Sequence, residues 1–353
     1  MQLRIAKDDI IRTRTAASEP HEPGPGEVRV RIDRFGYSAN NVTYAAAGDT
    51  LGYWKFFPCD EPEWGLVPVW GYADVETSRC EGVSEGERLF GYFPPARTLL
   101  LQPTRPSPAG FVDGAAHRAE LPSGYNLYRR VEKREAEAEA RNMLLYPLLV
   151  TSWCLHDAMR SEDWHGAERV VIASASSKTA IGTAFALARD DGAPPVTGFT
   201  SARNVAFVRD LGLYDEVLAY GDLDALDRQV PTAIVDMSGD AAMLGRLHTH
   251  LGDAMRQTLD VGLTHWEAPR RDGGRIRERS RFFFAPAHIA GRIKEWGMDT
   301  FTERTETFIA AAIADSARWM RLQPVDGLEA LGNEHARIAR GEGDASVGLV
   351  VTP

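Results

Sequence analysis

The stretch Arg169-Val170-Val171-Ile172-Ala173-Ser174-Ala175-Ser176-Ser177-Lys178-Thr179-Ala180-Ile181-Gly182 decides how the rest of the chain is read. Val170, Val171 and Ile172 are β-branched and consecutive, the mark of a strand buried in a parallel sheet. The small residues after them cannot continue it, and the apolar spacing from Ile181 to Arg189 suits a helix lying on that sheet. Strand, tight turn and helix aim backbone N–H groups at an anion, and the helix dipole favours negative charge there. A dinucleotide fingerprint carries glycines at this turn. Here Ser174, Ser177 and Ala180 stand at that spacing, small enough for a pyrophosphate to approach, although any positive φ becomes costly. Two readings stand side by side. Either Ser174, Ser176, Ser177, Lys178, Thr179 and Ala180 cradle a phosphate, or this is a plain βα turn that binds nothing. A P-loop reading of Ser177-Lys178-Thr179 is weaker still, because the leading glycine is missing and Ser177 stands where the second would be.

Downstream, strand and helix patterns alternate: residues 196–199, a helix through 207–211, then 216–218, 232–235, a helix, and 258–263. That alternation predicts a doubly wound parallel sheet with ligands along the strand C-termini. The second strand, Val196-Thr197-Gly198-Phe199, runs into Thr200-Ser201-Ala202-Arg203-Asn204. An acid there would hydrogen-bond a ribose 2′-OH, whereas hydroxyls and a guanidinium suit a 2′-phosphate. Thr200, Ser201 and Arg203 therefore favour NADPH over NADH. The bland alternative makes Thr200 or Ser201 a helix cap and Arg203 a solvated first-turn residue. Lys178 is either a point charge on the pyrophosphate or a cation pointing into water.

Upstream, residues 1–128 read as a mostly β domain. Val28-Arg29-Val30-Arg31-Ile32-Asp33 alternates apolar and charged side chains, and the turn cluster Pro23-Gly24-Pro25-Gly26-Glu27 precedes it. Further short strands fit residues 66–69, 72–77, 89–93 and 98–102, and a helical period covers 132–160. The tail predicts helices over 308–321 and 327–340. A final strand, Ser346-Val347-Gly348-Leu349-Val350-Val351, is placed to return to the first domain.

Composition sets outer bounds. The chain has 353 residues, enough for two domains, with 44% hydrophobic and 25% charged residues. A net charge of −10 argues against nucleic-acid or anionic-membrane partners. Cys59, Cys80 and Cys154 form no CxxC pair, which fits a reducing cytoplasm and gives no cysteine metal lobe. There is no membrane-length apolar run and no signal-peptide core behind Arg4, Lys7, Asp8 and Asp9. His156, His248, His250 and His265 lack metal-ligand spacing and read as structural, and Asp157 with Arg160 reads as a helix-surface pair.

Taken in order, these motifs resemble the medium-chain dehydrogenase/reductase superfamily, specifically its zinc-free quinone-oxidoreductase (zeta-crystallin-like) branch. Pro25-Gly26-Glu27-Val28-Arg29-Val30-Arg31-Ile32 is similar to its PGEVxVRV opening. Gly36-Tyr37-Ser38-Ala39-Asn40-Asn41-Val42-Thr43-Tyr44 resembles its GVNxxDxY segment, with Ser38 in place of Asn and Tyr44 one place late. Gly82-Val83-Ser84-Glu85-Gly86-Glu87-Arg88-Leu89-Phe90-Gly91 and Asp236-Met237-Ser238-Gly239 resemble its GDRV loop and its DxxG strand end. Asn40-Asn41-Val42-Thr43-Tyr44 with Phe282-Phe283-Phe284-Ala285-Pro286 further suggests a little-characterised microbial subfamily. There is no GHE-type zinc motif, so zinc-dependent chemistry is not expected.

The resemblance implies an α/β protein of two parts. A GroES-like mostly β domain spans 1–128 and is completed by about 323–353, and a Rossmann-like doubly wound domain spans 129–322. It implies an NADPH-dependent, metal-independent reductase of a small carbonyl, quinone or enone, with hydride transfer in an interdomain cleft, in a cytoplasmic homodimer. Tyr44 is either the proton or hydrogen-bond donor to the developing oxyanion or a cleft-wall aromatic without a chemical role, and Asn41 is the candidate orienting residue. Ser238 and Thr151 join the cofactor set, Thr151 as the start of a helix that it either caps or uses to touch the cofactor. The aromatic run Tyr53-Trp54-Phe56-Phe57, with Trp64 and Trp70, either walls an apolar pocket or packs beneath its loop. The competing expectation is a non-catalytic or regulatory protein that keeps the fold with a degenerate dinucleotide site.

Overall fold

The computed structural model describes residues 1–18, 22–261 and 274–353. Its contacts divide the chain into two compact units, Met1–Leu144 with Met320–Pro353, and Leu145–Trp319. The division falls inside a helix, where the sequence suggested a boundary near residue 128.

The first unit opens with β1 (Gln2–Ala6), β2 (Thr13–Ala16), β3 (Val28–Tyr37) and α1 (Ala39–Ala46). Then come β4 (Trp64–Gly65), β5 (Val69–Ser78), β6 (Arg88–Phe93), β7 (Thr98–Leu101), β8 (Pro103–Ser107), β9 (Gly110–Asp113) and β10 (Leu127–Arg130). The long α2 (Ala136–Ser161) leads into the second unit. That unit holds β11 (Arg169–Ala173), α3 (Lys178–Leu187), β12 (Val196–Thr200), α4 (Val205–Asp210), β13 (Glu216–Ala219), β14 (Thr232–Asp236), α5 (Ala241–Leu251) and β15 (Met255–Asp260). It ends with β16 (Ser280–Phe282), α6 (Ala285–Trp296) and α7 (Met298–Asp315), before β17 (Arg321–Asp326), α8 (Leu328–Ala339) and β18 (Val347–Thr352) return to the first.

In the first unit one sheet runs β17-β18-β3-β5-β6-β10-β9-β8, with β7 also on β3, and a smaller sheet runs β2-β1-β4. The alternation expected of residues 28–33 is realised: Val28, Val30 and Ile32 are core while Arg29 and Arg31 face outward. The tail strand β18 does come back, antiparallel to β3 and parallel to β17. β17 itself was not anticipated. It tolerates Pro324 because it lies at the sheet edge, where a missing N–H costs no ladder bond. Gly36 and Gly348 make room for Leu144, whose side chain a β-carbon at either position would meet. Arg88 bonds Asp33 at 2.8 Å, Asp74 at 2.8 Å and Glu139 at 2.7 Å, tying the first turn of α2 to the sheet.

Residues 66–69 are not the strand expected of them. β4 ends at Gly65 and β5 begins at Val69, because Pro68 has no amide to donate and Leu66 and Val67 are buried among aromatic rings. α1 and α6 lacked a clear sequence signal, and the helix expected over 308–321 is α7, which starts at Met298 and ends at Asp315.

In the second unit every strand pair is parallel, in the order β13-β12-β11-β14-β15-β16. Renumbered from β11, that is 3-2-1-4-5-6, the dinucleotide-fold order, whose switch point lies between β11 and β14. All five residues of β11 are buried, as its uninterrupted apolar run requires. The strand expected over 258–263 spans Met255–Asp260; residues 262 and 263, like His265, lie outside the described residues.

Candidate functional site

The pivotal turn begins at Ser174, which takes φ 60°, the left-handed conformation that the glycine fingerprint normally serves. Its carbonyl accepts the Ser177 amide at 2.9 Å, and its own amide donates to the Tyr220 hydroxyl at 3.0 Å. Ser177 is the N-cap of α3, its Oγ accepting from the Ala180 amide at 3.3 Å. Lys178 and Thr179 form the first turn, and Ala180 is fully buried beneath it. The sheet and helix thus bring Ser174, Ser176, Ser177, Lys178, Thr179 and Ala180 into one loop at the positive end of the α3 dipole.

Beside this loop lies the end of β12. Thr200 is buried, with its Oγ1 3.4 Å from the Ser176 Oγ, and the Asn204 amide donates to the same oxygen at 2.9 Å. Ser201 precedes a short 3₁₀ turn, Ala202–Asn204, without capping it through its side chain. Its Oγ is buried and makes no hydrogen bond. An orphan hydroxyl is the kind of group that a ligand satisfies. Arg203 is exposed on the same turn, and β12 ends without an acid. These features fit the ribose phosphate of NADPH. Ser238 sits at the end of β14, its amide and hydroxyl donating to the Asp236 Oδ1 at 2.9 and 2.6 Å. Burial raises the Asp236 carboxyl above the usual range. The Ser177 Oγ lies 3.7 Å from the Met237 sulfur, which sets β14 next to the turn.

Thr151 is not at a helix start. It lies in the middle of α2, where its Oγ1 donates to the Pro147 carbonyl at 3.3 Å, so it caps nothing. Asp157 and Arg160 do not pair with each other. Asp157 bonds His288 at 2.7 Å and Arg292 at 2.6 Å, and Arg160 bonds Asp190. Sequence reasoning also missed Tyr214, Tyr220 and Asn204. Their only signal was position: Asn204 and Tyr214 lie on the crossover between the second and third strands, and Tyr220 directly follows the third.

The other group of candidate residues belongs to the first unit. α1 opens with a capping box in which the Asn41 Oδ1 accepts the Ser38 amide at 2.9 Å. The Asn41 Nδ2 donates to the Pro68 carbonyl at 3.0 Å, so both ends of its side chain are engaged by backbone. One turn on, Tyr44 is 6% exposed and lies against Tyr53, ring centroids 4.2 Å apart. Around its hydroxyl stand Asn40, Tyr92 and Trp70, with the Tyr125 phenol nearby. Trp70 and Tyr125 pack on Tyr92 at 5.1 and 4.8 Å. Tyr92 Oη and Trp70 Nε1 are buried without hydrogen-bond partners. Burial and the Tyr125 phenol push the Tyr44 hydroxyl far above its ordinary pKa, so it stays a proton-bearing donor. The cluster is a buried group of packed aromatic rings that carries phenol and indole donors. Trp64 lies apart from it, under the guanidinium of Arg14 at 4.2 Å.

Among the described residues no group of three or more His, Cys, Asp or Glu side chains is arranged to hold a metal ion, and no helix is long and apolar enough to cross a membrane.

No curated protein matches this chain. Its fold is shared with several solved structures at low sequence identity. CurA from Vibrio vulnificus in complex with NADPH is 13% identical over 99% of this chain and 98% of its own, with a TM-score of 0.63. The quinone oxidoreductase of Pseudomonas syringae pv. Tomato DC3000 is 14% identical over 100% and 99%, with a TM-score of 0.61. Galactitol-1-phosphate dehydrogenase from Escherichia coli is 13% identical over 100% and 99%, with a TM-score of 0.57. Residues 35–344 match one sequence family, and the chain belongs to it: the family described as Protein of unknown function (DUF2855).

Proposed function

We propose that this chain is an NADPH-dependent, metal-independent reductase of a small carbonyl, quinone or enone, of the zinc-free quinone-oxidoreductase kind. The observation that carries the reading is Ser174 at φ 60°: a turn without glycine keeps the conformation that a dinucleotide needs. The NADPH-bound CurA structure and the quinone oxidoreductase share the fold and support it.

NADPH, when bound, supplies a hydride. The first turn of α3 and the Lys178 ammonium bind its pyrophosphate, and Arg203, Thr200 and Ser201 bind the 2′-phosphate, with Ser238 at the neighbouring strand end. Tyr44 donates a hydrogen bond and then a proton to the oxygen of the reduced substrate. The Trp70 Nε1–H is a donor only, so a substrate group reaching it presents an acceptor oxygen. The three free cysteines suit a reducing cytoplasm.

Titrating the protein with NADPH and with NADH, followed by nicotinamide fluorescence, tests this. The parent is expected to prefer NADPH and Arg203→Ala to lose that preference; binding of neither cofactor would overturn the assignment. The second reading is a regulatory protein with a degenerate site, favoured by the absence of glycine from the turn Ser174 to Ala180. It predicts no cofactor binding and no hydride transfer to a panel of carbonyls.

A further inference from the structure

Ser174 carries a β-carbon in the left-handed region, where the chain normally spends a glycine. Side chains from the β12–β13 segment meet it and its two successors. The Tyr220 Oη accepts the Ser174 amide at 3.0 Å. The Tyr214 Oη donates to the Ala175 carbonyl at 2.8 Å. The Asn204 amide donates to the Ser176 Oγ at 2.9 Å. Three consecutive turn residues are therefore each held by a different side chain.

The two phenols are themselves fixed. Tyr214 and Tyr220 flank β13, which pairs with β12, itself paired with β11. The Tyr220 amide donates to the Thr200 carbonyl at 2.8 Å, and its ring meets Phe199 edge-on with centroids 5.3 Å apart. Tyr214 occupies space left by Gly198. A β-carbon there would stand 2.9 Å from the Tyr214 ring and 3.1 Å from the Ala175 Cβ. A glycine absent from the turn thus has a counterpart one strand away, where it admits the ring that braces the turn.

We propose that Tyr214 and Tyr220 are positioning residues that replace the missing glycines, holding Ser174 and Ala175 in the conformation that presents the start of α3 to a dinucleotide. The ligand part of this rests on the NADPH reading; the clamp on the turn does not.

The test uses Tyr220→Phe and Tyr214→Phe, which remove only a hydroxyl, each with and without Ser174→Gly. Two readouts are taken: NADPH affinity by calorimetry, and hydrogen exchange of the Ser174 amide in the cofactor-free protein. Tyr220→Phe is expected to speed exchange at Ser174 and to weaken NADPH binding about five- to tenfold, the scale of one hydrogen bond. Tyr214→Phe is expected to weaken binding similarly. Ser174→Gly, which adopts the left-handed turn unaided, is expected to restore affinity in both. Unaltered affinity and exchange in Tyr220→Phe would overturn the proposal. So would a loss of affinity that Ser174→Gly does not recover. Should the parent bind neither NADPH nor NADH, the functional reading fails, and the clamp stands or falls on Ser174 exchange alone.

Discussion

Gly182 of α3 lies so close to Ser152 of α2 that a β-carbon there would stand 2.5 Å from the serine Oγ and 2.7 Å from a Leu149 methyl. Ser152 is not free to swing away, because its hydroxyl bonds the carbonyls of Leu148 at 2.9 Å and Thr179 at 2.8 Å. The approach fastens α3, and with it the turn that α3 begins.

Gly182→Ala is therefore expected to destabilise the protein, although alanine is the better helix former by about 1 kcal/mol. Overpacking costs about 1–3 kcal/mol and outweighs that preference. Gly291→Ala in α6, where a β-carbon meets nothing within 4 Å, is expected to stabilise. Urea unfolding of the two variants checks the opposite signs, and a stabilised Gly182→Ala would show that the helices have room to part.

Arg118 is buried, with its guanidinium over the rings of Phe56 and Phe57. It bonds Asp113 at 2.9 Å, the Tyr128 hydroxyl at 2.8 Å and the Tyr125 carbonyl at 2.6 Å. Arg118→Leu leaves Asp113 charged, buried and without this partner, a change that costs roughly 3–5 kcal/mol. The expected result is a lower unfolding midpoint with an altered near-ultraviolet tyrosine signal. A midpoint like the parent's would count against a structural role for the pair.

His248 accepts the Ile276 amide on Nδ1 and meets the Thr258 hydroxyl through Nε2, both at 2.9 Å. Burial, reinforced by the charge of Arg275, pushes its pKa from 6.5 down to about 4. Below pH 6.5 the unfolded chain takes up the proton first, so this contribution to stability is full above 6.5 and is lost as pH falls toward 4. At about 1.4 kcal/mol per unit, the loss is on the order of 3 kcal/mol. Unfolding measured from pH 7 to pH 4 is expected to slope accordingly, and His248→Gln to flatten the slope.

Tyr44→Phe keeps the ring against Tyr53 and removes only the donor. If the phenol protonates the substrate oxygen, kcat is expected to fall about 10²–10⁴-fold with NADPH affinity unchanged. In the parent, kcat should show no loss near pH 10, since the buried phenol titrates well above that range. An unchanged kcat in Tyr44→Phe removes the role.

Much of the framework was legible locally. Val28, Val30 and Ile32 carry a period of two, and the run from Val170 to Ile172 carries none, so one strand is buried on one face and the other on both. The alternation after residue 169 already implied the parallel sheet, and the apolar tail implied the returning strand. Such patterns are written within a few residues of themselves. What the candidate site does with its atoms is written across the chain. Tyr220 reaches Ser174 from 46 residues away, and Asp157 finds Arg292 from 135 residues away rather than its helix neighbour Arg160. Asn41 spends its amide on Ser38 and Pro68, a choice that depends on where β5 begins. Periodicity records which face of an element is apolar. Which polar groups then meet is a property of the packed chain, and that is why the serine-for-glycine turn could be located from the residues alone but its tyrosine braces could not.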